Sequence, residues 1–163
     1  MDTAKTILKT IGNVIFYAVI ACIIIAGIAS LFGIKPYITM SGSMEPVIHT
    51  GSICFVNTNA DYDDIELYDV IAYQAETGGL VTHRVINITP EGMETKGDNN
   101  ETSDGISTTQ ENFRGKNLFS VPLIGYVIRY IQQPAGMTIV GVILATSVVL
   151  TVLNHNSKKE DEE

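Results

Sequence analysis

The sequence predicts a mainly β domain with an apolar helix before it and a second apolar helix after it. Residues 11–34 contain no charged side chain, and residues 137–153 form a second uncharged stretch. Between them, short runs of β-branched and aromatic residues alternate with turn-forming residues, a pattern typical of short strands. The 163 residues suit a single domain of about 100 residues plus two helical segments.

The first apolar stretch, 11–34, is long enough to cross a membrane. A bilayer's hydrocarbon core requires about 20 apolar residues as helix. A cleaved signal peptide has a shorter apolar region of about 7–15 residues, although Lys5 and Lys9 give this segment the positive flank of such a signal. We therefore expect an uncleaved transmembrane anchor over 11–34.

The second apolar stretch predicts a transmembrane helix over 135–153. Its 17 uncharged residues, 137–153, are at the short end of the range, and a buried core helix or a pair of strands rich in Val and Thr is the alternative. Lys5 and Lys9 precede the first span, and Lys158 and Lys159 follow the second. The positive-inside tendency then predicts cytoplasmic ends, 1–10 and 154–163, in a multi-pass protein of the cell membrane, with 35–134 on the extracytoplasmic side.

The segment 35–134 reads as an all-β domain of short strands. Turn residues such as Gly78-Gly79 and Pro90-Glu91-Gly92 separate the strand-like runs. Those runs are "SICFVN" (52–57), "LYDVIAY" (67–73), "LVTHRVINI" (80–88) and "LFSVPLIGYVIRYI" (118–131). The polar stretch 97–117 has no strand signal, and loops of that length in a compact domain are usually functional or disordered.

Composition excludes several classes of function. The outer domain has 13 acidic and 6 basic side chains, so it is a poor partner for nucleic acid. Cys22 lies in the first apolar stretch and Cys54 in the domain, which makes an intrachain disulfide improbable, and no zinc spacing is present. "DYDDIE" at 61–66 lacks the glycine-centred spacing of a calcium loop and reads as a solvated acidic loop. We expect no metal and no cofactor, which leaves nucleophilic catalysis as the chemistry to consider.

Three histidines are candidates for a general base. His155 follows the second apolar stretch, and His49 lies in a turn-rich segment. His83 lies in the run 80–88, where alternation puts it on one face between Val81 and Val85. Partial burial there disfavours the charged ring, which suits a proton acceptor. The competing interpretation is a core histidine bonded to a backbone carbonyl.

The candidate nucleophiles and acids lie in two polar segments. "SGSM" offers Ser41 and Ser43, with a glycine between them that permits a sharp turn and a close approach of another chain. "KGDNNETSDG" offers Asp98 and Asp104 as a carboxylate to orient the base. Each has a purely structural alternative, because serine, glycine and aspartate are common turn residues.

Three motifs in order resemble a known family. They are "SGSMEP" at 41–46, "THRV" at 82–85 and "KGDNNETSD" at 96–104, following an apolar N-terminal segment. This combination resembles the type I signal peptidases of the endoplasmic-reticulum type, which also occur in archaea and some Gram-positive bacteria. The resemblance covers about residues 15–130. It implies a signal-peptidase-type β catalytic domain and a membrane-bound serine endopeptidase that removes signal peptides.

The resemblance also implies a role for each motif residue. Ser43 matches the nucleophile, and His83 stands where the common bacterial branch has a lysine base. Asp104 matches the acid that pairs with the histidine, and Asp98 matches a supporting aspartate. Ser41 corresponds to a residue that lends its hydroxyl to the oxyanion hole. The family often has two successive aspartates where this chain has Ser103-Asp104, so whether Asp98 or Asp104 orients His83 stays open.

Placement and resemblance together suggest the substrate. The nucleophile follows the first span closely, so a preprotein held by its own signal peptide in the lipid bilayer would meet it at the same height. Apolar residues near the motifs are candidates for shallow pockets that accept small side chains: Ile38, Met44, Val81 and Val85. The implied partners are preprotein signal peptides and the lipid bilayer, with subunits of a membrane complex as a further class.

Two alternatives compete with this interpretation. The first is a non-catalytic, membrane-anchored β domain that binds a partner, in which Ser43 is a turn residue and His83 a core residue. The second is a self-cleaving protease of the repressor type. That class needs a lysine base, and Lys35, Lys96 and Lys116 of the outer domain all lie outside the strand position that His83 occupies.

Overall fold

The N-terminal helix ends earlier than its apolar sequence predicts. The computed structural model describes residues 2–143, 145 and 146, and its first helix, α1, spans Asp2–Leu31. The predicted boundary at residue 34 is wrong by three residues, because Gly33 adopts a left-handed φ of 79° and the chain then continues as a strand. A Cβ at Gly33 would also lie 2.5 Å from the Asn59 side chain, so glycine is needed at this helix end.

One helix in the described residues is long and apolar enough to cross a membrane. It is the part of α1 over Thr10–Leu31, by length and composition. The predicted second span begins with a shorter apolar helix, α3, over Pro134–Ile143. Residues 144 and 147–163 lie outside the described residues, and with them the second part of the predicted span 135–153, the tail 154–163 and His155. The second span therefore stays a prediction.

The domain after α1 is a seven-stranded antiparallel sheet, which confirms the mainly β fold class. Its spatial order is β1-β2-β7-β3-β4-β5-β6, so the last of the described strands inserts between the second and third. The strands are β1 (Ile34–Ile38), β2 (Ile53–Asn57), β3 (Val70–Gln74), β4 (Leu80–Thr89), β5 (Gly92–Lys96), β6 (Ile106–Thr108) and β7 (Phe113–Val121).

The predicted strand run 118–131 is only partly a strand. β7 ends at Val121, and a helix, α2, follows over Ile124–Gln132. Pro122 cannot donate to a sheet ladder, and Leu123 turns the chain with a left-handed φ of 68°. Gly125 then packs against the Gly51 carbonyl, to which its N–H donates at 2.9 Å. The apolar sequence of 124–132 predicts a strand, whereas the packing of Gly125 against Gly51 favours the helix.

The core lies on both sides of β3, whose three central residues are all buried. Ala72 belongs to one cluster, and Ile71 and Tyr73 belong to the other. The first cluster consists of Met44, Ile48, Cys54, Val56 and Ala72, and the second of Ile65, Ile71, Tyr73, Val85 and Met93. Burial on both faces explains why β3 is continuously apolar over its central residues.

Candidate active site

The sheet register places His83 at the centre of a line of three polar groups. His83 lies on β4 opposite Ile71 of β3 and is 8 % exposed. Its Nε2 lies 3.0 Å from the Ser43 Oγ, and its Nδ1 lies 2.6 Å from the Asp104 Oδ2. The ring therefore bridges a hydroxyl and a carboxylate that are 61 positions apart in the chain.

The serine lies in a segment without helix or strand that the core holds in place. Met44 and Ile48, on either side of the Pro46 turn, are buried in the first core cluster. The Glu45 carboxylate accepts hydrogen bonds from the Thr50 backbone N–H at 3.2 Å and from its hydroxyl at 3.0 Å. These bonds to Thr50 lower the pKa of Glu45, which stays ionised and fixes the turn.

A second segment, 97–100, contacts the serine from behind. The Asn99 N–H donates to the Ser43 carbonyl at 2.8 Å, and the Asn99 side-chain amide donates to the Gly42 carbonyl at 3.3 Å. A Cβ at Gly97 would lie only 2.5 Å from the Ser43 carbonyl oxygen. The absence of a side chain at Gly97 is therefore what lets the two segments come together.

Of the two candidate acids, Asp104 lies beside His83 and Asp98 does not. Asp98 instead accepts two hydrogen bonds from the Arg84 guanidinium, at 2.8 and 2.6 Å. These bonds raise the pKa of Arg84, so the guanidinium stays charged. Arg84 follows His83 on β4, so the ion pair ties the segment 97–100 to the strand that carries the histidine.

Asp104 is surrounded by hydroxyl groups. Its Oδ2 accepts from the Thr95 hydroxyl at 2.7 Å and from the Tyr73 phenol at 3.3 Å, in addition to the contact with His83. Burial raises the pKa of Tyr73, which keeps the phenol protonated as a donor. Register explains the cluster, because Thr95 lies opposite Val85, and Tyr73 opposite Val81, on the face that His83 shares.

The hydroxyl of Ser43 opens into a cleft of about 390 Å³ between the end of β1 and the start of β4. Ile38 and Val81, two of the predicted pocket residues, line it together with Ser41, whose Oγ is 3.2 Å from the Ser43 Oγ. The prediction for Met44 and Val85 needs correction. Their side chains are 1 % and 0 % exposed in the two core clusters and cannot reach the cleft, because each points to the buried face of its segment.

The described part of the chain offers no group of three His, Cys, Asp or Glu side chains placed to hold a metal ion. The chemistry available at the cleft is that of a hydroxyl, an imidazole and a carboxylate in hydrogen-bond sequence. This order is the one that nucleophilic catalysis requires: a nucleophile, a base to accept its proton and an acid to orient the base.

Four residues of the site do not follow from sequence patterns. Tyr73 and Thr95 read as ordinary strand residues, Arg84 as an exposed strand partner, and Asn99 as a turn former. A signal exists for the first two, because alternation along β3 and β5 predicts which residues share the face of His83. That signal becomes usable only when the strand register is known.

Comparison with known proteins identifies the family of this chain. Residues 11–110 match the signal peptidase family, peptidase S26. Signal peptidase I W of Bacillus subtilis (strain 168) is 32 % identical over 124 residues, which are 67 % of this chain and 65 % of that protein. The signal peptidase complex catalytic subunit SEC11C of Homo sapiens is 36 % identical over 73 residues, which are 41 % of this chain and 38 % of that protein.

A fungal relative extends the same similarity. The signal peptidase complex catalytic subunit SEC11 of Colletotrichum graminicola is 30 % identical over 108 residues, 63 % of this chain and 60 % of that protein. The matched regions span less than two thirds of the length of these three relatives. The family match itself covers more than half of this chain. The chain therefore belongs to the signal peptidase family, peptidase S26.

Proposed function

We propose that the chain is a membrane-bound serine endopeptidase that removes N-terminal signal peptides from exported preproteins. The observation that carries the proposal is the continuous line from the Ser43 Oγ through the His83 ring to the Asp104 carboxylate, with contacts of 3.0 and 2.6 Å. A turn serine and a core histidine have no reason to meet across 40 positions with hydrogen-bond geometry. Its relatives include a signal peptidase and a catalytic subunit of a signal peptidase complex, which supports the choice of reaction.

The first chemical step is acylation of Ser43. The His83 Nε2 accepts the proton of the Ser43 hydroxyl as that oxygen attacks the scissile carbonyl. The Asp104 carboxylate holds the proton on Nδ1, so that Nε2 is the free acceptor, and it stabilises the imidazolium that forms. His83 then returns the proton to the leaving amine, which departs as the new N-terminus of the mature protein.

The oxyanion of the tetrahedral intermediate needs donors on the cleft side of Ser43. We assign this role to the Ser43 backbone N–H and to the Ser41 hydroxyl, whose oxygen lies 3.2 Å from the Ser43 Oγ. Removing one such donor commonly costs about 3–4 kcal/mol of activation free energy. Water then attacks the acyl-enzyme, with His83 again as the base, and releases the signal peptide.

The cleft suits an extended peptide with small side chains. Its walls come from the segments 37–41 and 80–83, with Ile38, Leu80 and Val81 as its aliphatic lining. A shallow apolar wall gains little from a large side chain that cannot be buried, and it accommodates a small one beside the nucleophile. We therefore assign the residue before the scissile bond to this wall.

The anchor places the site close to the bilayer. β1 begins three residues after α1 ends, and the cleft residues follow directly at its other end. The outer face of the sheet is apolar there, since Pro36, Phe55 and Phe119 lie side by side on three neighbouring strands, and the two phenylalanine rings stack at 4.6 Å. A signal peptide in the same bilayer would meet the cleft without diffusing through water.

Orientation follows from the charges flanking the spans. We propose a multi-pass protein of the cell membrane with 1–10 and 154–163 in the cytoplasm, spans over 11–31 and 135–153, and the catalytic domain on the extracytoplasmic side. Proteins named signal peptidase complex catalytic subunit are among its relatives. Membrane subunits are therefore a reasonable class of partner, in addition to preproteins and lipid.

The test is Ser43→Ala in the full chain, reconstituted in liposomes with a preprotein. We expect cleavage to stop while the amount of inserted protein stays at the wild-type level. Ser120→Ala on β7 is the matched control and should cleave normally, because that serine lies on a strand outside the cleft. Cleavage by Ser43→Ala at the wild-type rate would refute the proposal and leave a binding domain as the better interpretation.

A further inference from the structure

Asp104 lies outside any helix or strand, so something other than a ladder must fix its carboxylate. The segment 103–105 has neither helical nor extended assignment. Its backbone is nevertheless bound to one residue of β5, because the Asp104 N–H donates to the Thr95 carbonyl at 2.8 Å and the Thr95 N–H donates to the Gly105 carbonyl at 3.3 Å. Thr95 thus ties the backbone of this segment to the sheet.

The Thr95 side chain adds a contact to the carboxylate itself. Its hydroxyl oxygen is 2.7 Å from the Asp104 Oδ2 and 2.7 Å from the Ser107 Oγ, and the residue is 0 % exposed. A threonine hydroxyl has one proton, and an ionised carboxylate can only accept. The Thr95 proton must therefore point to Asp104, and the Ser107 proton to Thr95.

A single oxygen of Asp104 accepts all three side-chain hydrogen bonds that reach this carboxylate. The His83 Nδ1, the Thr95 hydroxyl and the Tyr73 phenol all approach Oδ2. Of the two hydroxyl donors, Thr95 is closer by 0.6 Å, at 2.7 against 3.3 Å. A rotated carboxylate would lose the Thr95 bond, so this bond keeps Oδ2 aimed at the histidine ring.

We propose that Thr95 is a positioning residue of the catalytic site, acting through a hydroxyl relay that runs from Ser107 through the buried Thr95 to Asp104. This role rests on the proposed function, because it matters only if Asp104 orients a catalytic His83. Thr95 does not line the cleft and contacts no substrate. Its hydroxyl contributes to the rate by holding the carboxylate, and its effect should fall on kcat and leave KM unchanged.

The test compares isosteric and conservative variants of the full chain, with a signal-peptide substrate under steady-state conditions. Thr95→Val keeps the shape and removes the hydroxyl, and we expect kcat to fall about 10-fold with KM unchanged, the scale of one hydrogen bond to a charged group. Thr95→Ser retains the hydroxyl and should stay within about twofold of wild type.

The chain contains a matched control for burial of a threonine. Thr108 is also 0 % exposed, and its hydroxyl has no hydrogen-bond partner among the described residues. Thr108→Val should therefore leave kcat unchanged. If Thr95→Val behaves like Thr108→Val, the relay has no role in positioning. If Thr95→Ser is as slow as Thr95→Val, the residue acts through packing and the proposal is wrong.

Two further measurements separate the possible failures. Ser43→Ala reports on the proposed function alone, and cleavage by this variant at the wild-type rate would refute the peptidase function. If Ser43→Ala is inactive but Thr95→Val is fully active, only the positioning role of Thr95 is refuted. If Thr95→Val does not fold, Ser107→Ala removes the donor to Thr95 and leaves Thr95 in place. We expect that variant to lower kcat by about twofold to fivefold, and an unchanged kcat would overturn the proposal.

Discussion

His83 and its two hydrogen-bond partners, Ser43 and Asp104, are held in the fold by different means. His83 belongs to β4, whose first half pairs with β3 and whose second half pairs with β5. Ser43 and Asp104 belong to segments without helix or strand. The histidine is located by the register of a ladder, whereas the serine and the aspartate are located by individual hydrogen bonds from Asn99 and Thr95.

This difference separates what stabilises the domain from what sets the reaction rate. A ladder distributes its stability over many backbone hydrogen bonds, so one side-chain change on β4 leaves the strand in place. The two irregular segments depend on a few contacts, and a shift of about 1 Å there is enough to slow a reaction about 100-fold. Changes near Ser43 and Asp104 should therefore affect the rate more than they affect folding.

The largest expected effect comes from a change on β4, the strand that carries His83. His83→Ala removes the base but none of the backbone pairing of β4, and we expect the cleavage rate to fall at least about 10⁴-fold with little change in melting temperature. His49→Ala is the control, because that ring is exposed in the turn segment. A variant at position 83 with more than a tenth of the wild-type rate would argue against histidine as the base.

A smaller effect should follow from crowding the serine segment. Gly97→Ala places a methyl group 2.5 Å from the Ser43 carbonyl oxygen, so the segment that carries Ser43 must move away from residue 97. We expect the rate to fall about 100-fold. Gly79→Ala in the turn before β4 meets no atom within 4 Å and should be neutral. Equal rates for the two variants would show that the contact behind Ser43 does not position it.

The smallest effect concerns the phenol that supports Asp104. Burial raises the pKa of Tyr73, so the folded protein keeps this proton at a pH where the unfolded chain loses it, above about 10. Stability is then fully present below that pH and declines as the pH rises further. Between pH 9 and 11, the melting temperature of Tyr73→Phe should fall less than that of the wild type, with a difference on the order of a few degrees.

Tyr130→Phe provides the comparison for that titration, because Tyr130 is exposed on α2. The melting temperature of this variant should fall between pH 9 and 11 as much as that of the wild type. If Tyr73→Phe follows the same curve as these two proteins, the phenol does not stay neutral in the folded state and cannot serve as a donor to Asp104 at alkaline pH.

Much of the fold is readable from local pattern. The β-branched and aromatic runs of β2, β3 and β4 and the uncharged first helix depend on neighbouring residues, and the sequence predicts all four elements close to their observed positions. The sequence does not predict where α1 ends or that 124–132 forms α2, because contacts with residues distant in the chain decide both features. Gly33 packs against Asn59 at the end of α1, and Gly125 packs against Gly51 in α2.

The site divides in the same way. Residue type and motif order are enough to select Ser43 and His83, which the structure brings together, and to reduce the acid to two candidates, Asp98 and Asp104. The choice between these two is not possible from sequence. That choice depends on Arg84, which binds Asp98 and leaves Asp104 for the histidine. The pocket candidates Met44 and Val85 failed because apolar character alone does not distinguish a cleft wall from the core.

The central claim is that Ser43, His83 and Asp104 act as one unit, and a double-mutant cycle tests it most directly. The measurement compares residual cleavage rates of His83→Ala, Asp104→Ala and the double variant, each corrected for folded protein. Because Asp104 acts only through the His83 ring, the double variant should be no slower than His83→Ala alone. Losses that multiply in the double variant would show that Asp104 acts independently of His83 and would contradict the account.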